Sequence, residues 1–169
     1  MAEPAIHFSI AFAAFSHMGF DLLTSTMLAA VAVLPDLDVL VRIHRSVTHS
    51  FVVCLPLALV AMPFYWIDPR ISIVLLGVWL SLSSHIFLDL TGSYCPALWP
   101  ILKEDLKVSA GLQLRFDHSF LLEPFAKISR RPLDISRFCH LDASLVTGEG
   151  LLISAVLVVL SLPRLSPLW

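Results

Sequence analysis

Charge is what this sequence lacks most. Only 14% of its 169 residues are Asp, Glu, Lys or Arg, against roughly 25% in a soluble globular domain. The formal charge of −2 leaves no basic surplus, so no nucleic-acid partner is expected from bulk electrostatics. Cysteine is scarce too: Cys54, Cys95 and Cys139 are odd in number, scattered and without a C-x-x-C pair. A disulfide framework and a structural zinc knot are both excluded on that count, and reduced thiols are expected. The N-terminus also lacks the positive region of a secretory signal, since Glu3 is the one charge ahead of the first apolar run. That segment is expected to stay in the mature chain.

What is present is apolar: 57% of residues are hydrophobic and the mean hydropathy is +0.85. A chain of this length is expected to form a single unit over residues 1–169, integral to a membrane. Crossing the hydrocarbon layer takes about 20 apolar residues. Phe51–Ile67 and Ile71–Leu90 meet that requirement, separated by the turn-forming Asp68-Pro69-Arg70. Leu151–Leu162 is shorter and spans if it begins before Gly150. Ala5–Phe20 and Leu22–Leu34 form a helical hairpin, either crossing or re-entrant, broken at Gly19 and Asp21 and ended by Pro35. Pro56 and Pro63 are expected to kink the third helix. Residues 91–148 form the one long polar stretch, expected outside the membrane or at its interface, with an amphipathic patch around Trp99–Leu106. The expected fold is therefore an all-α polytopic membrane bundle of about five transmembrane or membrane-embedded helices, with lipid bilayer as its surroundings.

Basic residues set the orientation. Arg42, Arg45, Lys103, Lys107, Arg115, Lys127, Arg130, Arg131 and Arg137 fall on one side of this topology, and Arg70 and Arg164 on the other. The first side is expected to be cytoplasmic.

Under the five-helix topology, seven ionisable residues fall on that same side. His7 opens the first helix, Asp36 and Asp38 follow the second, His44 and His49 precede the third, and His85 and Asp89 finish the fourth. Each has a bland alternative, a hydrogen-bonded structural group or a solvated turn, yet scattered core histidines have no reason to share one end. His85 and Asp89, four residues apart, share a helix face deep in an apolar helix, where ionisable groups are costly and usually functional. His44 and His49, five apart, require a loop-to-helix transition, with Thr48 or Ser46 as the expected cap. Asp36 and Asp38 alternate around Leu37 in a segment fixed by Pro35 and expected to be extended or turning, which would aim both carboxylates the same way.

Four imidazoles and three carboxylates exceed the needs of one tetrahedral zinc. They suit a centre of two divalent ions with an open position for water. Zinc is the first expectation, with manganese or iron as alternatives. Arg45, between two of the ligand candidates, is placed to meet a phosphate oxygen or to anchor in the headgroups. His17 lies about 15 Å further along the first helix, at ~1.5 Å per residue, and is left out of the set. Asp117 and His118 echo the earlier His-Ser-Phe block in an interfacial loop; His140 and Asp142 read as solvated.

These motifs resemble the YdjM-like family of inner-membrane, metal-dependent hydrolases, also described as LexA-binding. The resemblance rests on the early His7, Leu34-Pro35-Asp36-Leu37-Asp38, His44-Arg45-Ser46-Val47-Thr48-His49-Ser50, and Ser84-His85-Ile86-Phe87-Leu88-Asp89 with Thr91 and Leu98-Trp99-Pro100 after it. It covers roughly Ala5 to Pro100. The family often carries a His directly after the second aspartate, where this chain has Val39. Asp117, His118 and Glu123 lie beyond the aligned region. The resemblance implies an inner-membrane location and a hydrolase. An aspartate such as Asp36 or Asp38 would act on the water, and a lipid or other amphipathic phosphoester is the expected substrate. A metal-ion or proton transporter and a metal-stapled regulatory protein are the competing classes.

Overall fold

The computed structural model describes residues 3–41, 47–116, 120–133 and 147–162. Helix α1 (Pro4–His17) begins with proline at its first position, where the missing N–H costs nothing. It ends at Gly19, whose φ of +88° a residue with a Cβ adopts only with strain. Around that glycine the Gly19 N–H donates to the Ser16 carbonyl and the Phe20 N–H to the Phe15 carbonyl, while the Phe15 and Phe20 rings meet edge-on at 5.7 Å. This is the hydrogen-bond pattern and apolar contact of a Schellman stop. Asp21 then caps α2 (Leu22–Val31), accepting from the Thr24 N–H at 3.0 Å.

Two 3-10 segments follow, Leu34–Val41 and Val47–His49. In the first, the segment of Asp36 and Asp38 takes the turning form of the two expected: Asp36 N–H donates to the Val33 carbonyl, and the chain coils through Pro35. Helix α3 (Phe51–Ile67) has the bounds its apolar run implies, with Pro56 and Pro63 inside it. Its cap is Ser50, whose hydroxyl accepts from the Val52 N–H at 3.2 Å, in place of the expected Thr48 or Ser46. Asp68 ends α3 and caps α4 (Pro69–Gly92) through the Arg70 N–H at 2.9 Å. Helix α5 (Gly148–Ser161) is capped by Thr147.

The polar stretch is where the all-α expectation fails. Strands β1 (Glu104–Phe116) and β2 (Phe120–Pro132) pair antiparallel in unbroken register from Glu104↔Pro132 to Phe116↔Phe120. In β1 polar and apolar residues alternate, a period of two that favours a half-buried strand, and the interspersed charges hide the pattern from any reading by mean hydropathy. A bridge from Cys95 to Leu106, with N–O distances of 2.9 and 2.8 Å, ties the hairpin to the end of α4.

The packing is inverted relative to a water-soluble protein. Many buried positions are small or polar: Ser9, Ser25, Ala29, Ala61, Ser72 and Ser81 are each at most 1% exposed, beside a few large apolar side chains such as Phe12, Phe15 and Ile86. Large apolar side chains face outward, Trp66 at 87%, Leu152 at 68% and Leu23 at 68%. On α5, Gly150, Ser154 and Ser161 turn inward while Leu151, Ile153 and Val156 are exposed. Small residues let membrane helices approach closely where lipid, not water, surrounds them. Cross-helix bonds follow, with the Ser72 hydroxyl donating to the Ala61 carbonyl at 2.8 Å and Ser9 meeting Ser154 at 3.4 Å.

Helix α4, with 24 residues and a stretch of 18 whose mean hydropathy is 2.0, is the helix among the described residues long and apolar enough to cross a membrane alone. At ~1.5 Å per residue it reaches about 36 Å, against a hydrocarbon core of ~30 Å. Helices α1, α2, α3 and α5, with 14, 10, 17 and 14 residues, are shorter.

Candidate metal centre

Helices α1, α3 and α5 start at one end of the bundle, and α2 and α4 return to it. Five of the ionisable residues singled out by sequence meet there. His7 comes from the first turn of α1, Asp36 from the first 3-10 segment, His49 from the end of the second, and His85 and Asp89 from the last turns of α4. His7, His49, His85 and Asp89 are at most 1% exposed, and Asp36 is 7% exposed.

His85 is the hub. Its Nδ1 donates to the Ala32 carbonyl at 2.8 Å, because a carbonyl can only accept, so neutral imidazole presents a bare Nε2. That Nε2 lies 3.1 Å from His49 Nε2 and 3.7 Å from Asp36 Oδ1. Asp89 sits between two further imidazoles, with Oδ1 3.6 Å from His7 Nε2 and Oδ2 3.6 Å from His49 Nε2. The His7 ring stacks on the His85 ring at 3.9 Å between centroids. On the outer side of His49, Nδ1 is 3.0 Å from the Thr48 hydroxyl. Two three-residue groups result, His7–Asp36–His85 and His49–His85–Asp89, each with donor atoms within 4.8 Å of one another and sharing His85.

The donors fit a divalent cation on two grounds. Both ring nitrogens of His7 are buried without a hydrogen-bond partner, although an unsatisfied buried polar group costs about 1–3 kcal/mol. A cation held by one of the two removes that cost for that nitrogen. The 3.1 Å between the His49 and His85 nitrogens is also close to the ~3.3 Å edge of a tetrahedral site with metal–nitrogen bonds of ~2.0–2.1 Å. Ala32 and Thr48 hold the outer nitrogens of the two imidazoles, as partners of metal-binding histidines commonly do.

A family model supplies the identification. The model of the YdjM inner membrane protein family matches residues 5–164. The chain belongs to that family. The match runs well past Pro100, where the motif resemblance stops, and takes in the hairpin and α5 of this YdjM-family protein. No curated protein and no solved structure matches the chain.

Of the other candidates, Asp38 belongs to the first 3-10 segment, and its side chain, like all of His44 and Arg45, lies outside the described residues. So do Asp117, His118, His140, Asp142 and the side chain of Glu123. His17 is exposed at the far end of α1. Sequence reasoning missed the two orienting groups. Thr48 had a signal, its place directly before His49. The Ala32 carbonyl had none, because a backbone acceptor is available at every residue.

A cavity of about 830 Å³ lies at the opposite end, lined by Met18, Phe20, Asp21, Thr24, Arg70 and Val74 among others. It shares no residue with the cluster.

Proposed function

We propose that this YdjM-family protein is a multi-pass inner-membrane hydrolase that depends on divalent cations, zinc first, with its site on the cytoplasmic side. The observation that carries the reading is the pair of donor groups sharing His85, with both nitrogens of His7 buried beside them and lacking hydrogen bonds. A purely structural metal needs four donors. Each donor group here offers three protein ligands, which leaves a fourth position open to water, as a catalytic zinc site requires.

A divalent cation held here supplies Lewis acidity toward water and toward the oxygen of a scissile ester. The chain's own residues do the rest. His85 and His49, oriented by Ala32 and Thr48, keep their Nε2 atoms turned into the site. Asp36, at 7% exposure, is the least buried residue of the cluster. It therefore faces incoming water and accepts its proton. Asp89, fully buried, balances charge. The apolar surround excludes bulk water and strengthens each of these interactions.

The membrane-embedded position supports a lipid or other amphipathic phosphoester as substrate. The confinement of the described cluster to one end supports hydrolysis over transport, because an ion path needs ionisable groups through the full depth. Purified protein, stripped and reloaded with zinc, manganese or iron, is expected to turn over phosphomonoesters or phosphodiesters from a lipid panel. The His85→Ala variant is expected to lose that turnover by at least 100-fold. Undiminished turnover in the variant, or none with any metal across the panel, refutes the reading.

A further inference from the structure

The β1–β2 hairpin has no assigned role. Its strands are 13 residues each, so at ~3.3 Å per residue the ribbon reaches about 40 Å. A lone two-stranded hairpin is marginal in water and needs a partner for its apolar face. The register supplies such a face: Val108↔Ile128 and Ala110↔Ala126 occupy one side. Lys107↔Ser129 and Ser109↔Lys127 occupy the other. Ile128 is 65% exposed, and Ala110 and Ala126 are exposed beside it.

Three observations point to what covers this face. The hairpin is rooted through the Cys95–Leu106 bridge at the end of α4, where the membrane-crossing helix leaves the lipid. Over residues 107–110 and 126–129 its apolar and polar residues segregate by strand face, as an interfacial element requires, while Phe125 falls on the polar face and Arg130 on the apolar one. Its charge is also biased: Arg130 and Arg131 pair with Glu104 and Asp105 at the base, at 3.9 and 3.1 Å, and beyond them the strands carry Lys107, Arg115 and Lys127 against Glu123. Basic segments next to a membrane helix are drawn to anionic lipid.

We propose that the hairpin lies flat on the anionic leaflet at the metal-centre end of the bundle, with the Val108/Ile128 face in the acyl boundary and the Lys107/Lys127 face toward water. This goes beyond the hydrolase reading and does not depend on it.

The test uses the full chain in nanodiscs, in a Cys139→Ser background, since Cys54 and Cys95 are buried. Nitroxide labels are attached in turn to Lys107→Cys, Val108→Cys, Ser109→Cys, Ala110→Cys, Ala126→Cys, Lys127→Cys, Ile128→Cys and Ser129→Cys variants. Their collision rates with oxygen, which partitions into lipid, and with a water-soluble nickel chelate are measured. The expected result is an oscillation of period two in phosphatidylglycerol-containing discs. Positions 108, 110, 126 and 128 favour oxygen several-fold and the intervening positions favour nickel. In pure phosphatidylcholine the amplitude falls. Uniform nickel access overturns the proposal, as does protection of the apolar face from both reagents, which marks a second copy or another protein as its cover. An oscillation indifferent to lipid charge overturns the anionic-leaflet assignment.

Discussion

Glu3 and Thr147, far apart in sequence, are bound together at the end of the bundle that carries the metal centre. The Glu3 carboxylate accepts from the Thr147 N–H at 2.8 Å and from the Thr147 hydroxyl, and the same hydroxyl accepts from the Gly150 N–H at 3.1 Å. The start of α5 is thereby tied to the start of α1, one turn before His7. Gly150 leaves room for this contact, since a Cβ there would stand 2.1 Å from Glu3 Oε2.

The tie predicts a pH dependence. Hydrogen bonds from the Thr147 hydroxyl and then its N–H hold the Glu3 carboxyl below its ordinary value of 4.5. A depressed folded-state pKa stabilises the fold above the unfolded value, and that stabilisation is lost as pH falls through the folded one. Detergent-solubilised wild type is therefore expected to melt higher than Glu3→Ala at pH 7, with the gap closing progressively below about pH 4.5. A gap that stays constant from pH 7 to pH 3 contradicts this.

His85 belongs to both donor groups and His7 to one. Elemental analysis of dialysed protein is expected to find metal lost to background in His85→Ala. His7→Ala should retain metal through His49, His85 and Asp89, at lower stoichiometry or affinity. Chelation of the wild type should lower its melting temperature, because a ligand bound only to the native state stabilises it. Equal metal content in all three proteins would falsify the shared-hub arrangement.

Thr48 tests the orienting role separately from ligation. Thr48→Val removes the hydroxyl beside His49 Nδ1 with little change in volume, and loss of such a partner typically costs ~10–100-fold in metal affinity. Competition titration against a chelating dye should show a drop in that range for Thr48→Val and recovery in Thr48→Ser. If valine binds metal as tightly as threonine, the contact is incidental.

Orientation is open to a direct measurement. With Arg70 at one end of α4 and the basic hairpin at the other, the positive-inside rule predicts the Asp68 turn on the outer side of the membrane. A membrane-impermeant thiol reagent should label Asp68→Cys in whole cells and Lys127→Cys only after lysis. The reverse pattern would put the metal centre on the outer face.

Local pattern made much of this protein readable from sequence. The uninterrupted apolar run between Ser50 and Asp68 delimits α3 to the residue, because caps and a turn-forming Asp-Pro sit at its ends. His85 and Asp89 declare a shared face because helical geometry relates positions four apart wherever the helix packs. Where local signals conflicted, the reading broke down. Pro35 left an extended and a turning segment both open, and only the structure chose the turn; the alternation in Glu104–Phe116 was masked by the charges that create it.

Composition and periodicity, then, determined membrane residence, the course of α3 and α4, and which residue types could bind a cation. Only the tertiary structure decided that His7 stacks on His85, that the Ala32 carbonyl fixes the His85 tautomer, and that Glu3 anchors α5. Those contacts link residues far apart in the chain. They depend on small side chains such as Gly77, Ala29 and Ser81 letting helices approach, and no short-range pattern encodes which helix meets which.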